Sequence, residues 1–305
     1  MHSSIRRVIL GGALTAVLCT PGVAAEPFRY EGLCEASAAV ALDDSRFAVA
    51  SDDLEVLTVY ERGKAAPVAT VPLADVTDLE AAARIGDTIF WLTSHSLNKD
   101  GEDKKKRKLL LATSVAPEGA VAPQGAVFRT VRATVAARLG ADEAALAKAF
   151  NIEGLAATPD GALLAGLRAP LTGDGKALIV RIDDPFALVG LSPPADAAVA
   201  GGAPATAAVS TLDLGKRGVR SLERVGERYL IVAGSVEDGG KPPAMLFWWD
   251  GAEAVTPGPD VSLAGVTPEA LFAWSDGTVH ILGDNGETCS EKGDNRWFLS
   301  VEVRP

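Results

Sequence analysis

Short apolar runs broken by turn residues set the pattern of this chain. The clearest instance is NIEGLAATPDGALLAGLRAP, Asn151 to Pro170. An apolar–acid–small–apolar word, Ile152-Glu153-Gly154-Leu155, leads into the turn Pro159-Asp160-Gly161, and a second apolar run follows from Leu163 to Arg168. Two apolar runs flanking an Asp-Gly turn predict a β-hairpin.

The word recurs as Tyr30-Glu31-Gly32-Leu33, Leu79-Glu80-Ala81-Ala82, Val219-Arg220-Ser221-Leu222 and Pro268-Glu269-Ala270-Leu271, always with a small residue after the charge. Fifteen residues past the charge the second run ends on a polar residue in four copies: His95, Arg168, Ser235 and Asp284. In the first copy the end is Asp52, 21 residues past Glu31. Phe47, Phe90, Leu163, Leu230 and Val279 stand five residues before these ends, so the apolar runs share one register. Successive charges lie 49, 73, 67 and 49 residues apart. Blade-like units run roughly 40–50 residues, so two copies carry insertions. A hairpin unit cannot bury its own face. Radial stacking solves this, and predicts an all-β chain folded as a single five-bladed β-propeller, or six-bladed if an insertion hides a degenerate blade.

Outer strands are expected from LEVLTVYE and PVATVPL, RKLLLATS and AVFRTVRATV, KALIVRID and AAVSTLDL, and AMLFWWDG with a short partner. RWFLSVEVR serves the last unit, whose missing outer strand residues 26–30 can supply, closing the ring without a free edge. Asn98 to Lys108 reads as a solvated loop, Ala141 to Phe150 as a short surface helix, and Leu191 to Ala208 as a long loop. Strand alternation predicts that one of Trp248 and Trp249 is buried and the other exposed.

Residues 1–25 have the form of a secretory leader: Arg6-Arg7, the apolar stretch Val8 to Leu18, and the small residues Val23-Ala24-Ala25 before Glu26. The apolar stretch is too short to span a membrane. The propeller domain is then 26–305, a monomer that is periplasmic or secreted. The formal net charge is −11; removing the leader takes away two arginines and no acid, leaving 27 basic and 40 acidic residues, a net −13. That charge excludes nucleic acid and anionic membrane surfaces as partners and suits cations. Two cysteines remain, Cys34 in the first unit and Cys289 in the last. In an oxidising compartment they are expected to bond, locking first unit to last across about 255 residues, worth about 4–5 kcal/mol.

In a propeller the innermost strand of each blade faces the axis. The opening charges Glu31, Glu80, Glu153, Arg220 and Glu269 are therefore expected to converge on one channel mouth. Asp52, His95, Arg168, Ser235 and Asp284 should ring the same mouth. Four carboxylates stay ionised together only beside a cation. Arginine supplies one solution, a salt-bridged mouth without metal; calcium or magnesium held by Glu31, Glu80, Glu153 and Glu269 is the other, since oxygen-rich sites suit hard cations. No nucleophilic triad, metal-thiolate spacing or phosphate loop is present. His280, inside an apolar run, reads as a packed residue.

The segments EGLCEASAAV, NIEGLAATPDGALLAGLRAPL, GVRSLERVGERYLIVAG and PEALF…ILGDNG together resemble the bacterial family catalogued as "domain of unknown function 3616", over nearly the whole chain after residue 25. That family carries no established activity to transfer. More distantly, the EGLA…PDG word resembles esterase-like phytase propellers, and the axial Glu/Ser arrangement resembles calcium-activated nucleotidases, five-bladed propellers with an axial calcium. Two functions follow as expectations. One is a divalent-metal-dependent phosphoesterase acting on a small phosphorylated molecule, with Arg168, Arg220 and His95 orienting phosphoryl oxygens. The other is a non-catalytic propeller that binds a small ligand or an unknown protein.

Overall fold

The computed structural model describes residues 26–115, 121–128, 131–193, 208–237, 240–259, 265–285, 289, 293 and 295–305, so the leader lies outside the described residues. The chain forms a five-bladed β-propeller of five four-stranded antiparallel sheets. The opening strand β1 (Phe28–Glu31) does not belong to the first blade. Blade one is β2 (Ala38–Ala41), β3 (Arg46–Ala50), β4 (Val56–Glu61) and β5 (Ala69–Pro72). Blade two is β6 (Leu79–Ile85), β7 (Thr88–Thr93), β8 (Leu110–Val115) and β9 (Val121–Phe128), followed by helices α1 (Val131–Leu139) and α2 (Glu143–Ala147). Blade three is β10 (Asn151–Ala157), β11 (Leu163–Ala169), β12 (Ala177–Ile182) and, after the short helix α3 (Pro185–Leu188), β13 (Val209–Leu212). Blade four is β14 (Gly218–Val225), β15 (Arg228–Gly234), β16 (Met245–Trp249) and β17 (Val255–Pro257). Blade five is β18 (Thr267–Ala273), β19 (Val279–Asp284) and β20 (Trp297–Val303), with β1 pairing β20 as its outer strand.

The ring closes in two ways. The β1–β20 ladder removes the free edge and inserts Tyr30 among Phe47, Tyr60 and Phe298, with ring centroids 5.2–5.3 Å away. The Cys34–Cys289 disulfide, with Cα atoms 5.6 Å apart, ties the entry of blade one to blade five. A disulfide is a mark of an oxidising compartment. Among the described residues no helix is long and apolar enough to cross a membrane.

The five innermost strands β2, β6, β10, β14 and β18 pack against one another around the axis. The core divides into five clusters, one between each pair of neighbouring blades. Alternation along each strand feeds both: Phe90 and Leu92 face blade three while Trp91 faces blade one. This corrects the expectation for the two tryptophans. Both are buried, Trp249 against blade three and Trp248 against blade five, because neither face of a blade meets solvent. Arg228 lies over the Trp248 ring at 4.1 Å. The expected strand AVFRTVRATV is also corrected: it ends at Phe128, and Val131 onward is helical. The expected surface helix is α2, capped by the Asp142 side chain on the Ala145 amide. Most of the loop Leu191–Ala208 lies outside the described residues.

Candidate functional site

The repeated charge has a single structural cause. In β6, β10, β14 and β18 the pairing register slips by one residue, between Leu79 and Ala81, Ile152 and Gly154, Val219 and Ser221, and Pro268 and Ala270. Glu80, Glu153, Arg220 and Glu269 are thus the extra residues of β-bulges, which re-aim a side chain relative to the ladder. The small residue that follows has its own reason. A Cβ on Gly154 would come within 2.7 Å of Val219 on the next innermost strand.

Glu80, Glu153 and Glu269 line one cavity of about 380 Å³ at the axis. Asp52, Arg168 and Asp284, from the ends of β3, β11 and β19, line it too. Arg220 reaches the same group: its Nε lies 3.2 Å from Glu153 Oε2 and its Nη2 contacts Glu269. Three residues read from the repeat lie elsewhere. Glu31 is exposed on β1, at the outer edge of blade five opposite Trp297. His95 is fully buried; its Nδ1 lies 2.9 Å from the Thr93 carbonyl, and burial lowers its pKa to about 4. Ser235 accepts Arg168 Nε through its carbonyl at 3.2 Å and does not line the cavity.

Three further charged residues line the wall, Glu35, Asp78 and Arg107, along with Ser37, Ser96 and Asn151. Glu35 stands where Glu31 was expected, bridging to Asp284 just after the disulfide cysteine. Blade one needs this substitute because β2 pairs β3 without a bulge. Asp78 sits two residues before Glu80 with φ +67°, and Arg107 reaches back from the charged loop to bond it at 2.5 Å.

The cavity has two electrostatic halves. In one, arginine satisfies the acids: Arg168 Nη1 donates to Glu153 Oε1 at 2.8 Å, Asn151 Nδ2 donates to the same oxygen at 2.9 Å, and Arg220 joins Glu153 to Glu269. In the other, acids crowd one another. A hydrogen bond with Asp52, desolvation and the charges of Asp52, Asp284 and Asp53 raise Glu35 to about 9. Desolvation, then Asp78, Glu153 and Asp52, holds Glu80 well above the usual carboxylate range. Burial raises Asp78 to about 6 despite Arg107. Asp52, Asp78 and Glu80 each present one oxygen within 4.8 Å of the others, and so do Glu35, Asp52 and Asp53. Among the described residues, Asp52 Oδ1 is buried with no hydrogen-bond partner. An all-carboxylate set of this kind fits a hard divalent cation.

No protein-family model and no curated protein sequence matches the chain. Its structure is similar to that of glutaminyl cyclase from Myxococcus xanthus, at 13% identity and a TM-score of 0.51, covering 91% of this chain and 94% of that one. It is also similar to an oxidoreductase (glucose dehydrogenase) from Thermus thermophilus, at 10% identity and TM-score 0.45, covering 92% and 100%. A third is the PQQ-bound aldose sugar dehydrogenase of Streptomyces coelicolor, at 11% identity and TM-score 0.41, covering 92% and 99%. At 13% identity the likeness to the glutaminyl cyclase is one of fold alone.

Proposed function

We propose that the chain is an exported, monomeric binding propeller of the family catalogued as domain of unknown function 3616. It is periplasmic or secreted, and its acidic half-mouth holds calcium or magnesium. Asp52, Asp78 and Glu80 would be the protein ligands, with Glu35 beside them. This moves the metal site away from Glu31, Glu153 and Glu269. The observation that carries the reading is the convergence of three carboxylate oxygens within 4.8 Å, two of them on groups with no arginine bonded to them among the described residues. The cation would supply positive charge to draw a small anionic molecule into the mouth.

The non-catalytic form is favoured because the expected catalytic groups are already engaged. Arg168 and Arg220 bond Glu153 and Glu269, and His95 is packed away from the cavity. One observation keeps a phosphoesterase as the second reading: Arg107, on the cavity wall beside the carboxylates, donates to Ser96 Oγ at 2.7 Å and is a guanidinium suited to phosphoryl oxygens. Calorimetric titration of chelator-treated protein should find about one calcium or magnesium per chain, and a panel of phosphoesters should release no phosphate with or without metal. No saturable metal binding sinks the first reading. Metal-dependent phosphate release replaces it with the second.

A further inference from the structure

The opposite end of the channel carries a second cavity, of about 460 Å³, with walls from the innermost strands of all five blades. Its charged residues are Arg84, Arg224 and Glu223. The two arginines occupy one repeated turn: Arg84-Ile85-Gly86-Asp87 in blade two and Arg224-Val225-Gly226-Glu227 in blade four. Each folds its Nε back onto the carbonyl of the turn glycine, at 2.6 Å for Gly86 and 3.0 Å for Gly226.

Beyond Nε the two differ. Arg84 Nη1 donates to the Ala41 and Leu42 carbonyls of the preceding blade, at 3.3 and 2.6 Å, and Nη2 reaches Asp87 at 3.4 Å. Arg84 is thereby consumed as a clamp between blades one and two. Arg224 has the same starting geometry, and Ala157 of its preceding blade lines the same cavity. Yet among the described residues neither Nη of Arg224 has a hydrogen-bond or ion-pair partner. Arg224 also borders a side pocket of about 300 Å³ between blades three and four. Glu223 does not cancel its charge. The channel strips water from that carboxyl and raises it to about 8, so near pH 7 it is largely uncharged.

We propose that this second mouth is a binding site for the oxyanion of a small molecule, a carboxylate or phosphate, received by the Nη groups of Arg224 with Arg84 adding fixed positive charge. A planar guanidinium with its outer edge open forms two parallel charge-assisted hydrogen bonds to such a group. The site lies apart from the carboxylate cavity, so it does not depend on the cation-binding reading and can fail separately from it.

The test is calorimetric titration of the full chain with inorganic phosphate and with succinate, in wild type and in Arg224→Gln. Saturable binding to wild type, weakened at least tenfold in Arg224→Gln with the far-UV circular dichroism spectrum unchanged, is the expected result. In wild type, phosphate or succinate should also protect Arg224 from phenylglyoxal modification, mapped by mass spectrometry; this readout needs no variant to fold. The proposal is overturned by the absence of saturable binding to wild type, by equal binding in Arg224→Gln, or by modification of Arg224 at the same rate with and without anion.

Discussion

Replacing Glu153 by Gln separates a salt-bridged residue from a metal ligand. Glu153 is 3% exposed, and its carboxylate is the meeting point of Arg168, Arg220 and Asn151. Neutralising it removes the counterion shared by two guanidiniums whose side chains are 9% and 11% exposed, while Arg220 keeps Glu269 and Arg168 keeps the Ser235 carbonyl. Breaking a buried ion pair from one side costs about 3–5 kcal/mol. Gln keeps the shape and one acceptor oxygen, so the lower part of that range is expected. At about 2 °C per kcal/mol for a domain of this size, the melting temperature should fall by about 6–8 °C. Differential scanning calorimetry in chelator is the assay, because a salt-bridge loss needs no metal to appear. A shift under about 2 °C in chelator would refute the reasoning. A loss seen only when calcium is present would make Glu153 a metal ligand and restore the assignment read from the repeat.

Glu80→Gln should behave in the opposite way: no loss of stability in chelator, because the ionised form is already disfavoured there, but loss of the calcium-induced rise in melting temperature. In wild type that rise should correspond to about 2.7 kcal/mol at a hundredfold excess of calcium over its dissociation constant. Reducing the Cys34–Cys289 bond should cost about 4–5 kcal/mol in guanidinium melts, and equal stability with and without reductant would count against a bonded pair. Glu223, raised from 4.5 to about 8, binds a proton in the folded state that the unfolded state has lost. Stability should therefore fall as pH rises from about 4.5 to 8, by up to about 1.4 kcal/mol per unit, and Glu223→Gln should remove that slope. His95 and His280, both lowered to about 4 by burial, should show no proton-NMR titration above about pH 5.

The repeat was legible because the bulge writes itself into sequence. A charge that must turn to the axis, a small residue that lets the next blade approach, and an apolar residue for the blade interface form a fixed word. Where blade one lacks the bulge, the word misleads. Tyr30-Glu31-Gly32-Leu33 matches it by chance of composition, but Tyr30 is the wedge that closes the ring and Glu31 faces outward. The residue that serves, Glu35, also precedes an alanine, so an acid–small pair was present without the preceding apolar residue, which the disulfide cysteine replaces. Arg107 carried no readable signal. In KKKRK its neighbours Lys104, Lys106 and Lys108 pair with Glu102, Glu55 and Asp103 on the surface, while it alone turns to Asp78.

A count of charges misleads in a second way. The repeat suggested carboxylates spread evenly about an axis, each wanting a share of one cation. The fold instead sorts them by blade. Arg168 and Arg220 come from adjacent blades three and four, so their short reach neutralises Glu153 and Glu269 and leaves blades one and two with Glu35, Asp52, Asp78 and Glu80, of which Arg107 bonds Asp78. A cation drawn to this mouth therefore meets attraction on one side and a sealed, neutral wall on the other. Sequence alone reports how many charges reach the axis; which of them remain to be neutralised depends on blade order around the ring, and that follows only from the closed propeller.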